Sequence, residues 1–173
     1  MPRSARVSSF PHIPPAPWQL SGAALVLPHR RGALLLVHYE SSPVGPYDEL
    51  AVATLKRSGP TVVRMLVSRE ASREGGRHIW GFPKETTPLK WTQTSERVRF
   101  QGDRKTWRAR AIGPRLPVKL RAWTVQNLRG ERVRVPFHIG GTLRLAWCGK
   151  MPCALLEDMM LRVDAPLRAP LKQ

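Results

Sequence analysis

Two stretches of this chain hold side chains with chemistry to offer. The first runs from Tyr39 to Leu50. It sets three carboxylates (Glu40, Asp48, Glu49) and two tyrosines (Tyr39, Tyr47) in a segment broken by Pro43, Gly45 and Pro46, which reads as a shaped loop. The second, Glu74-Gly75-Gly76-Arg77-His78-Ile79-Trp80-Gly81-Phe82-Pro83-Lys84, delivers one lysine at the end of an aromatic run. An unperturbed lysine has a pKa of about 10.4, so at neutral pH roughly one amine in two thousand is free to attack a carbonyl carbon. An apolar pocket disfavours the ammonium and frees the nucleophile. Trp80 and Phe82 can supply apolar surface. Pro83 fixes the chain just before the amine, and Gly81 admits a close neighbour. The plainer alternative is an exposed lysine after a turn, with Trp80 and Phe82 as ordinary core, because lysines are mostly exposed.

Strands must position these residues. Arg97-Val98-Arg99-Phe100, Trp107-Arg108-Ala109-Arg110-Ala111, Arg132-Val133-Arg134-Val135 and Leu143-Arg144-Leu145 alternate charge with bulk at period two. On a pleated strand that alternation puts arginine on an outer face and apolar residues on an inner one. Gly102-Asp103-Arg104-Lys105, Gly113-Pro114, Arg129-Gly130-Glu131 and Gly140-Gly141 read as breaks between strands. In the first half, residues 22–27, 32–38, 50–55 and 61–68 read as four more strands. Glu70 to Glu74 reads as a short helical turn with Ser68 as its cap. The pattern predicts a mainly β fold, with antiparallel sheets curled into a barrel or cone around a pocket and few short helices. Trp107, Trp123 and Trp147 fall on these segments and read as core or pocket wall.

The chain has 173 residues, 42% of them hydrophobic, enough for a core and too many for a disordered chain. A single domain over 1–173 is expected. Many of its 17 prolines cluster in extended ends, about 1–18 and 165–173. The formal net charge of +17 invites a nucleic-acid reading, yet the arginines are spread along the strands and form no basic tail. A solvated outer face is the leading interpretation, and a nucleic-acid-binding β-barrel the lesser alternative. Cys148 and Cys153 have neither Cys-x-x-Cys nor zinc-site spacing and read as ordinary thiols, which fits a reducing cytoplasm. Residues 1–20 lack the apolar run of a secretory signal, and Ala23 to Val37 is interrupted by Pro28, His29, Arg30 and Arg31, so no membrane span is expected.

Taken together, the two chemical stretches resemble the acetoacetate decarboxylase superfamily. Gly76 to Lys84 is similar to the segment that leads through an aromatic residue and proline to that family's Schiff-base lysine. Ser42 to Leu50 is similar to its upstream loop, and Pro14-Pro15-Ala16-Pro17-Trp18 to its N-terminal entry. The resemblance spans Pro14 to Trp91. It implies that Lys84 forms an imine, that Glu49 and Glu40 are the carboxylates near it, and that Tyr47, Arg77, Trp80 and Phe82 line the substrate pocket. It also implies a homo-oligomer and a small oxo acid substrate. The activity implied is that of a cofactor-independent carbon–carbon lyase, either a decarboxylase or a related aldolase or dehydratase. Neither a metal nor an organic cofactor enters that chemistry. Arg77 has two readings, a holder of a substrate carboxylate or an anchor for Glu40, Asp48 or Glu49. His78 could move protons or simply pack.

The chain departs from the family at three places. Glu85 stands where decarboxylases carry a second lysine, and His78 stands where a glutamate is usual. Gln19 to Leu25 holds no arginine, although one is expected there. A non-catalytic small-molecule binder on the same fold is the alternative that these departures suggest.

Overall fold

A computed structural model of the protein describes residues 12–168. Eleven strands make one sheet: β1 Trp18–His29, β2 Gly32–Ser41, β3 Tyr47–Lys56, β4 Gly59–Val67, β5 Lys84–Thr86, β6 Lys90–Gln93, β7 Arg97–Gln101, β8 Thr106–Leu128, β9 Glu131–Cys148, β10 Met151–Val163 and β11 Leu167–Arg168. The order is β5-β4-β3-β2-β1-β10-β9-β8-β7-β6, with β11 on β9. All pairings are antiparallel except β4 with β5. Helical structure among the described residues is confined to α1 (Glu70–Gly75) and a π-helical turn, Gly76–Trp80, that continues it. No helix among them is long and apolar enough to cross a membrane.

The sheet curls but does not close, because β5 and β6 lie at its two ends. The curl covers both faces of its centre. Leu20, Ala24, Val37, Tyr39 and Ala51 project into one core with Met65, Val67, Val133 and Val135. Ala23, Leu25, Leu27, Leu36 and Leu50 project the other way, into a second core with Trp91, Val98, Phe100 and Ala109. Double coverage explains why β1 reads as a nearly unbroken apolar run, since a strand buried on both faces has no solvent side to mark with charge. The arginine alternation marks the outer strands. Arg97, Arg99, Arg108 and Arg110 are exposed, and their neighbours Val98, Phe100, Ala109 and Ala111 are buried.

Four expectations need correction. Gly113-Pro114 and Gly140-Gly141 do not end strands, for β8 and β9 run through them. The register of β8 against β9 shifts between Ile112 and Leu116, and that of β9 against β10 between Glu157 and Met160. Gly and Pro inside a strand here accompany bulges, which tolerate both residues. Trp123 and Trp147 are 42% and 43% exposed, and the Arg134 guanidinium covers the Trp123 ring at 4.1 Å. Ser68 does not cap α1: its hydroxyl accepts the Asp48 N–H at 2.8 Å, and Arg69 takes the capping position without a side-chain hydrogen bond. Residues 1–11 and 169–173 of the proline-rich ends lie outside the described residues. Trp18, placed at the edge of the N-terminal arm, instead opens β1 at 1% exposure, and its indole donates to the Pro14 carbonyl at 2.8 Å.

Candidate active site

The segment from Tyr39 to Leu50 is mostly strand. Tyr39 to Ser41 complete β2, Tyr47 to Leu50 begin β3, and only residues 42–46 turn between them. Period-two alternation therefore sorts its side chains. Tyr39 pairs with Tyr47 and Val37 with Glu49, so these four share one face. His38, Glu40 and Asp48 take the other, where the His38 ring meets the Asp48 carboxylate at 2.6 Å.

Lys84 arrives on the first of these faces. β5 runs parallel to β4 and sets Lys84 beside Met65, which is itself beside Ala51. The lysine is 4% exposed and Glu49 is 5% exposed. The Lys84 amine stands 2.9 Å from Glu49 Oε2 and donates to Ser72 Oγ at 2.9 Å. Although close, Glu49 Oε2 takes no aligned hydrogen bond, so its contact with the amine is one of charge. Its sister oxygen, Oε1, accepts from the Tyr39 hydroxyl at 3.1 Å. The Tyr47 ring lies under the amine, 5.4 Å from centroid to Nζ, and 4.6 Å from the Tyr39 ring. Burial, then the charge of Glu49, holds both phenols well above the ordinary tyrosine range. They are neutral hydroxyls at physiological pH.

The helical segment forms the wall over the lysine. Ser72 on α1 is fully buried. Gly76 touches the lysine stem so closely that a Cβ there would stand 2.5 Å from Lys84 Cδ and 2.6 Å from Cε. A Cβ on Gly75 would meet the Trp18 ring at 2.5 Å. Gly81, at φ 71°, ends the π-helical turn in the left-handed region, and a Cβ there would lie 2.1 Å from the Asn127 carbonyl oxygen. Trp80 is buried against Trp18 edge to face at 5.1 Å, and its indole donates to the Asp164 carbonyl at 2.7 Å. Phe82 packs at the margin of the same core, 6.0 Å from Trp80.

Lys84, Glu49 and Tyr47 thus come together, with Trp80 and Phe82 in the surrounding core. Glu40 does not join them. It is exposed and lines a cavity of about 850 Å³ with His38, Gln93, Arg115 and Glu157. The reason is a single step along β2: Tyr39 faces the amine, so Glu40 faces away. Arg77 is exposed and, among the described residues, makes no ion pair with Glu40, Asp48 or Glu49. His78 is exposed beside Arg129 at 3.2 Å. Sequence reasoning did not single out Ser72 or the contact of Tyr39 with Glu49. Strand parity between Tyr39 and Glu49 was the available signal for the tyrosine; for Ser72 there was none.

Chemically, this is a dry lysine–glutamate pair. The amine and Glu49 Oε2 lie within proton-transfer reach at 2.9 Å, and the Tyr39 hydroxyl holds the other carboxyl oxygen.

No protein-family model and no curated protein matches the chain. Solved structures do. An acetoacetate decarboxylase from Legionella pneumophila superposes with a TM-score of 0.63 at 12% identity, covering 97% of this chain and 93% of that one. A second acetoacetate decarboxylase structure gives 0.59, again at 12% identity, over 99% and 97%. The fold is therefore of the acetoacetate decarboxylase type along nearly its whole length.

Proposed function

We propose that this protein is a cofactor-independent enzyme of the carbon–carbon lyase type that binds a carbonyl substrate as an imine on Lys84. The observation that carries the proposal is a lone lysine amine, 4% exposed, within 2.9 Å of both a carboxylate and a hydroxyl. Glu49 takes a proton from the ammonium, and the freed nitrogen attacks the carbonyl carbon. The carbonyl oxygen leaves as water, and the product is an iminium whose charge Glu49 again balances. The iminium draws electrons from the adjacent bond. Either carbon dioxide, a carbonyl fragment or a proton can then depart to leave an enamine. The resemblance to acetoacetate decarboxylase implies the first of these, on a β-keto acid, whereas the charges around Lys84 favour the other two.

The test is reductive trapping. Incubating the full chain with acetoacetate, pyruvate and their uncharged ketone counterparts in the presence of borohydride gives a stable mass increment on the Lys84 peptide for at least one compound. An unmodified Lys84 across the panel overturns the proposal.

A second reading has one observation in its favour. Five cavities of about 510 to 850 Å³ open elsewhere on the protein, and Lys84 lines none of these five. On that reading the Lys84–Glu49 pair is structural, and the fold binds small molecules elsewhere without turnover.

A further inference from the structure

The charge inventory around Lys84 narrows the substrate class. This inference rests on the imine reading above. Among the described residues the buried charged groups are Glu49, Lys84 and Glu157, and Arg144, with 11% of its side chain exposed, is nearly so but sits with Glu157, away from the lysine. The lysine is matched one to one by Glu49. Other cations near this part of the chain are committed or turned outward. Arg73 is bonded to Glu74, the Arg69 guanidinium lies against Gly45 and the Pro46 carbonyl, and Arg77 is exposed. Arg115 and Arg144 are both held by Glu157, which lines a cavity with Glu40 on the opposite face of β2. The polar groups that do face the amine are Ser72 and two tyrosines, and all three are neutral.

We infer that the Lys84 site takes an uncharged aldehyde or ketone in preference to a keto acid. The balance of charge through the reaction is the reason. A neutral ketone meets an ammonium and a carboxylate, and the condensation yields an iminium, a carboxylate and water, so the buried site stays at zero net charge throughout. Loss of an α-carbon proton to Glu49 then moves the C–H electron pair into the enamine double bond, and both charges disappear together. A keto acid brings one further negative charge, so the site carries a net charge of minus one from substrate entry, through loss of carbon dioxide to the neutral enamine, until a proton is taken up from outside. No buried guanidinium or second amine is at hand to offset it, and an uncompensated charge is strongly disfavoured in a dry site.

The experiment compares 2-pentanone with acetoacetate, near neighbours in size that differ in charge. Each is trapped with borohydride on the full chain, and the adduct on the Lys84 peptide is quantified by mass spectrometry. Labelling of the exposed Lys90 and Lys105 in the same digest corrects for intrinsic reactivity. The expected result is a corrected Lys84 labelling at least tenfold higher for 2-pentanone. Equal or greater labelling by acetoacetate overturns the inference while leaving the imine reading standing. Labelling of Lys84 by neither compound removes the imine chemistry and this inference with it.

Discussion

Two carboxylates lie buried among cations in this protein, and they are held in opposite ways. Glu157 is shared: Arg115 reaches one oxygen at 3.1 Å, while Gln93 at 3.3 Å and Arg144 at 3.7 Å approach the other. Glu49 has one cation, and one of its oxygens lacks an aligned hydrogen bond. The first arrangement surrounds its carboxylate with guanidinium groups, which do not give up their protons in a protein. The second sets its carboxylate against a single lysine, the cationic side chain that can also serve as a nucleophile. The Glu157 cluster reaches solvent through Arg115, which is 60% exposed, although Glu157 and Arg144 are each 11% exposed in their side chains; both members of the Lys84 pair are 5–6% exposed. A shared, partly wet network suits the tying of strands. A single dry pair is the arrangement that imine formation on Lys84, as proposed, would use.

Substitutions can break that contrast. Lys84→Met strands the Glu49 charge and should cost about 3–5 kcal/mol, whereas Arg115→Gln, at a largely exposed partner, should cost no more than about 1 kcal/mol. Urea unfolding of the two variants measures the gap, and similar losses would erase the distinction between the clusters. Next in size is Gly76→Ala. Its methyl group falls on the Lys84 stem, so about 1–3 kcal/mol of overpacking is expected, together with weaker borohydride trapping at Lys84. Retained stability with full trapping would mean that the wall yields. Tyr39→Phe removes one hydrogen bond to a charged acceptor and should cost about 1.5 kcal/mol, less than Lys84→Met but more than Arg115→Gln. A neutral result there would separate Glu49 from its tyrosine support and leave Lys84 as the carboxylate's one working partner.

The sheet-rich character of the fold was readable because the outer strands carry it openly, with arginine out and Val, Phe or Ala in along β7 and the start of β8. The continuity of β8 and β9 was not readable. Gly113-Pro114 and Gly140-Gly141 have the composition of turns, and only cross-strand register reveals bulges within longer strands. At the site, Lys84 stood out because one lysine closes an aromatic run. Glu49 and, behind it, Glu40 both read as acids on a loop. They separate once Tyr39 to Leu50 is seen as two strand ends, because alternation then sends Glu49 to the amine and Glu40 to the far face. Ser72 stayed hidden for a different reason: its role depends on α1 folding back over β5, a contact across twelve residues that no local pattern encodes.

The absent side chain at Gly76 has a consequence for how this protein can change over time. The glycine and the lysine stem occupy complementary shares of one small volume. Their histories are therefore tied. A lineage that acquires bulk at position 76 must shorten or redirect the residue at 84, and one that relinquishes the lysine frees position 76 to drift. Among descendants of this chain, the pair should be inherited together or lost together.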